Sequence, residues 1–330
     1  MSRARLFAVA MCSIGFVRAQ STGLFGPVAG FTFDQPTHSI RAVIGALGSA
    51  SLGPPIIGKL DSAFVAPRQN YAIARRSGQV LFVAGLDSAQ STLSALPGSS
   101  SVPEGAVWSD DGSAVVLYSH AGGWIQIFTG FPGSISPGVQ TSVAALGGSL
   151  SSVALDPHGQ RIAIGISGNP GGVFEIANGQ SFSPRMATSN PIALAYSEDS
   201  SELFCLDGSA NQISGITLSS SAIQTWPAGA DDAIAIKPAI DATNRKVLYV
   251  AGRNSRSLLV YDRSSNQIST SIALSFSPWI IEPFGLNGYL LTRRSGGADP
   301  LWSFISAAEP VVYFVPAAPV PESGPHREAH

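Results

Sequence analysis

Short apolar runs alternate with polar turns along nearly the whole chain, and no segment sustains the 3.6-residue period of an amphipathic helix. The clearest instance is AVWSDDGSAVVLY, Ala106 to Tyr118: an apolar strand, a polar turn centred on Asp110, Asp111 and Gly112, then a second apolar strand. The phrase returns as SVALDPHGQRIAIG from Ser152, IALAYSEDSSELFCL from Ile192, IAIKPAIDATNRKVLYV from Ile234 and IIEPFGLNGYLLT from Ile280. Looser copies are FTFDQPTHSIRAVIGALGSASLG from Phe31 and SAFVAPRQNYAIARRSGQVLFVAGLD from Ser62. Aligning Thr37, Gln69, Gly112, Gly159, Ser200, Asn244 and Gly288 as turn positions gives seven units at spacings of 32 to 47 residues.

Within most units a third strand follows: VLFVAG from Val80, WIQIFTG from Trp124, GVFEIA from Gly172, QISGITL from Gln212 and SLLVYD from Ser257. A fourth, more polar segment such as QISTSIAL from Gln267 closes the unit. Four antiparallel strands per unit predict an all-β fold, a seven-bladed β-propeller of four-stranded antiparallel blades. A lone blade leaves both sheet faces bare, so a core forms only when blades stack around a ring. Either Leu24–Ala29 or Val311–Val315 is expected to complete an end blade.

With that period, and with VLFVAG from Val80 and VLYVAG from Val247, the segment Phe31 to Pro316 resembles seven-bladed propellers of the YVTN and WD40 type. No Trp-Asp dipeptide or Gly-His signature recurs at the unit ends, so the resemblance points to exported, bacterial YVTN-like propellers. It implies a binding or scaffold role. It also implies two alternatives: a lactonase- or lyase-like enzyme with Asp156, Lys237 and Glu282 near the channel, or a quinoprotein-like binder of a planar cofactor among His120, arginines and tryptophan.

Composition supports a folded body: of 330 residues, 45% are apolar and only 12% charged, and 35 glycines and 23 prolines suit many tight turns. A net charge of -2 gives no electrostatic reason to expect nucleic acid. MSRARLFAVAMCSIGFVRAQ has a basic start, an apolar core and the small-residue pattern Val17-Arg18-Ala19, which reads as a secretory signal peptide cut after Ala19. Its apolar run is too short to span a bilayer. The expected organisation is a signal at 1–19, one propeller at 20–316 and a disordered Pro-rich tail at 317–330, giving a secreted or periplasmic monomer.

Chemistry is sparse. His38 and His158 fall in first-to-second-strand turns, whereas His120 falls in a second-to-third-strand loop on the other face, so no metal site is expected. No G-x-S-x-G phrase or histidine–carboxylate pairing marks a catalytic centre. SDDGS at 109–113 reads as an Asp-capped turn, GNPGG at 168–172 as a hairpin, and Cys205 as a buried small hydrophobe. No cofactor is expected. The loops joining second to third strands, together with the links between blades, open on one face and carry most of the candidate ligand residues: Arg75, Arg76, His120, Trp124, Arg253, Arg256, Trp279, Arg293 and Arg294. Guanidinium groups flanked by Trp279 suit a polar or anionic protein, peptide or glycan.

Overall fold

The computed structural model describes residues 26–177, 181–296, 299–307 and 309–316. The expected signal and tail lie outside these residues, as do Leu24 and Phe25. The described chain forms seven antiparallel sheets and, apart from two single-turn 3-10 helices, no helix. Five blades follow the four-strand plan, for example Pro191–Tyr196, Glu202–Asp207, Gln212–Thr217 and Ala222–Pro227 in blade 5. In blade 3 the outer position is split into Ser136–Pro137 and Thr141–Ser142, both paired with Trp124–Thr129. All seven turn positions read from the sequence fall between or beside the first two strands of their blades.

The middle strands explain the unbroken apolar runs. In Ala114–Ser119, Val115 and Leu117 enter the core shared with blade 2, while Ala114 and Val116 enter the core shared with blade 4. Period-two alternation here separates two buried faces rather than a wet and a dry one. Seven such cores occur among the described residues, one between each neighbouring pair of blades, and the last of them joins blades 7 and 1. Fully burying a side chain such as Leu117 or Ile164 contributes roughly 1.5–3 kcal/mol, so these cores hold the ring.

Blade 1 departs from the plan. Among the described residues it has three strands, Val28–Asp34, Ser39–Ile44 and Ser51–Ile57, and its inner strand runs opposite to the other six. In blades 2 to 6 neighbouring first turns meet each other: Gln69 Nε2 donates to the Asp111 carbonyl (3.1 Å), and Ser200 Oγ donates to Asp156 (3.1 Å). In blade 1 the equivalent turn, at His38, instead exchanges contacts with Leu60, just before the inner strand of blade 2 begins. At the other end of the strand, Ala29 and Gly30 lie against Gly285 and Phe284, at the turn of blade 7. Parity requires this reversal: three antiparallel strands can end beside the start of blade 2, across the short link 58–61, only if the first is inverted.

Among the described residues the closure therefore uses no strand shared between the ends. Val311–Val315 completes its own blade, and the ring shuts by packing Val43 and Leu52 against Leu290, Leu301 and Val315, and by a buried ionic triad. Arg294 Nη1 donates to Asp34 Oδ1 (2.7 Å) and Arg41 Nη1 donates to Asp34 Oδ2 (3.1 Å). Inversion also corrects the expectation for His38. Its turn opens on the same face as His120, not with His158.

Candidate functional site

Two regions gather polar side chains: the face carrying the second-to-third-strand loops, called the loop face, and the central channel. On the loop face, the link between blades 6 and 7 is held by the Trp279 N–H donating to the Leu291 carbonyl (2.9 Å). That places the indole beside the blade 6 loop, with the Arg253 guanidinium 4.5 Å from the ring centroid. Trp279 is 61% exposed despite its size. Arg253 also lies 3.8 Å from the Asp232 carboxylate, and exposed Arg256 follows in the same loop.

The other predicted residues divide sharply. His120 is exposed, donates from Nδ1 to the Leu150 carbonyl (2.8 Å) and meets Tyr118 edge-on, but it lies on blade 3. Arg76 is half-buried and binds the carbonyls of Gly58 (2.7 Å) and Lys59 (3.1 Å), so it ties down the link from blade 1. Arg75 is half-buried, with its Nε sealed from solvent. Trp124 is not on the binding face: as the first residue of its strand it points into the core between blades 2 and 3. Arg294, 3% exposed, is consumed by the closing triad, whereas its neighbour Arg293 turns the other way and pairs with Glu282 at the channel mouth.

The channel encloses about 840 Å³. Phe31, Phe33, Phe64, Val107 and Val153 line it, and an ion pair spans it: Lys237, on the inner strand of blade 6, reaches Asp110 in the turn of blade 3 (2.9 Å). Sequence reading treats SDDGS as one capped turn, but its two aspartates have different tasks. Asp111 caps, accepting from Ser109 Oγ and the Ser113 N–H, which leaves Asp110 free to point inward. The doubled aspartate was the available signal. Towards the loop face, Glu104 lines the same channel; burial works to raise its pKa, but the Ser119 hydroxyl and the Ala121 and His120 N–H groups outweigh it and hold the carboxyl below its usual range.

Elsewhere, Cys205 is buried and its thiol is pushed up to about 12 by burial, which makes it a poor nucleophile. Among the described residues no cluster of three or more His, Cys, Asp or Glu side chains could hold a metal ion, and no helix is long and apolar enough to cross a membrane.

No family model and no curated protein matches the chain. Among solved structures, its fold is similar to that of a chain in a crystal structure of a nidogen/laminin complex, at a TM-score of 0.50 and 11% identity over 76% of this chain and 96% of that one. At that identity the likeness shows the fold alone.

Proposed function

We propose that this is an exported binding propeller that presents its loop face to a polar or anionic partner, a protein, peptide or glycan. The observation that carries the reading is the Arg253–Trp279 stack. A large indole left 61% exposed beneath a guanidinium offers a flat apolar platform edged by planar donors. Tryptophan and arginine in that arrangement are the residue types that dominate binding energy at interfaces, and the stack itself contributes only about 0.5–1 kcal/mol at an exposed site. Arg256 and Asp232 supply further hydrogen-bonding groups around the platform. Export rests on the 1–19 segment.

Acidic-peptide and uronic or sulfated glycan arrays test the reading. Trp279→Ala and Arg253→Ala are each expected to weaken a wild-type hit by at least about tenfold, roughly 1.4 kcal/mol. Unchanged binding in both variants overturns it. N-terminal sequencing of secreted protein is expected to begin at Gln20; a retained, full-length product refutes export.

A further inference from the structure

Arg68 occupies an expensive position. The turn Ala66–Gln69 is closed by the Gln69 N–H to the Ala66 carbonyl, with Pro67 at its second corner and Arg68 at its third at φ 59. A type II turn asks for glycine there, because a Cβ crowds the backbone at positive φ. Blades 3 and 4 place Gly112 and Gly159 at positive φ in their first turns, and blades 5 and 6 place Ser200 (φ 55) and Asn244 (φ 65) there. Arg68 nonetheless stands at the channel mouth, exposed, with no hydrogen bond or ion pair among the described residues.

Of the other charges at this mouth, Asp110 pairs with Lys237, and Asp87 accepts from Asn70 Nδ2 (2.7 Å), a neutral donor that leaves its charge in place. At the opposite, loop-face mouth Arg293 pairs with Glu282, Glu104 accepts from the Ser119 hydroxyl, and among the described residues no hydrogen bond or ion pair holds the Asp61 carboxylate. Among the described residues no carboxylate pairs with Arg68, and an apolar waist separates its mouth from the loop-face one. Its volume suits a single small ligand.

We propose that the channel binds a small amphipathic monoanion, its apolar body against Phe31, Phe33, Phe64 and Val153 and its carboxylate or sulfonate on Arg68 and Lys237. This site is separate from the Trp279 platform. Asp110 presets Lys237 in the absence of the anion, and Arg68 supplies the planar two-point grip that a lysine lacks.

Calorimetry with decanoate on the full mature chain tests the proposal, with decyltrimethylammonium as the control of opposite sign. Decanoate is expected to bind one to one and the cation not at all. Arg68→Gly and Lys237→Met should each weaken decanoate by about tenfold or more, and Val153→Trp, which fills the waist, should abolish binding while leaving recognition at Trp279 intact. Arg68→Gly should also melt no lower than wild type, since glycine suits the turn, so lost affinity cannot be lost folding. Absence of decanoate binding, equal binding of the cation, or undiminished binding to Val153→Trp overturns the proposal. A lowered melting temperature for Arg68→Gly would overturn the claim that Arg68 is kept for a ligand.

Discussion

The junction between blades 4 and 5 and the junction between blades 7 and 1 close the same kind of gap by different means. At the first, inner strands run parallel, and Leu194, Leu203 and Ile216 pack on Ala163, Val173 and Met186. Its buried carboxylate, Glu175, accepts from the Tyr196 hydroxyl (2.9 Å) and pairs with Arg185 and Arg161, whose side chains are 27% and 40% exposed. At the second, inner strands are antiparallel, Gly30 leaves room for the Phe284 ring, and the arginines on Asp34 are only 9% and 3% exposed. A repeated seam can let its charges relax into water. The irregular one has locked its charges inside, which makes it specific and brittle.

The strongest test is Asp34→Ala. Removing the shared partner takes the carboxylate away from two buried guanidinium groups, and a loss of about 3–5 kcal/mol is expected in urea unfolding. Glu175→Gln should cost less, about 1–3 kcal/mol, because its arginines can turn outward and the amide still accepts from Tyr196. If Glu175→Gln is the more damaging, the contrast between the seams is wrong.

Acid should act on the regular part of the ring. Asp241 is brought down to about 2: burial opposes this, but the Thr243 hydroxyl and the Arg245 and Thr243 N–H groups outweigh it. Asp199 lies well below the usual range, held first by the Ser201 hydroxyl. Groups with folded values below the unfolded value near 4 stabilise above that pH and lose the contribution as pH falls through the folded value. Melting temperature should therefore drop between about pH 4 and 2, and Asp241→Asn should flatten that slope. The smallest effect is expected for Lys246→Ala, which breaks a half-exposed pair with Asp199 (3.1 Å) and should cost about 0–1 kcal/mol, read by the same melts.

The blade count and the turn positions were legible because the apolar runs are separated by turn residues with a physical reason to be there, such as Asp111 and Gly112. The direction of blade 1 was not. Alternation of apolar residues is identical whichever way a strand runs, and the one trace was the short spacing of 32 residues between Thr37 and Gln69, which leaves no room for a fourth strand. Site residues failed for a related reason. In WIQIFT, Trp124 shares a face with Phe128, and both enter the core, although the tryptophan adjoins a loop. Arg293 and Arg294 look equivalent in sequence, yet consecutive side chains point apart, one into the channel and one to Asp34. Arg253 and Trp279 were both readable as loop residues, but their stacking depends on the Trp279–Leu291 backbone bond, which no local pattern encodes.

Reversal of the first strand also decides how the molecule carries a load. Val28 sits on the side of the ring where the turns of blades 2 to 7 cluster, while Val315 finishes on the opposite side. Tension applied to the polypeptide from upstream and downstream is thus transmitted through the thickness of the disc, shearing the Arg294–Asp34 contact. Had the first strand followed its six counterparts, both attachments would leave from one side and the same pull would peel the end blades apart.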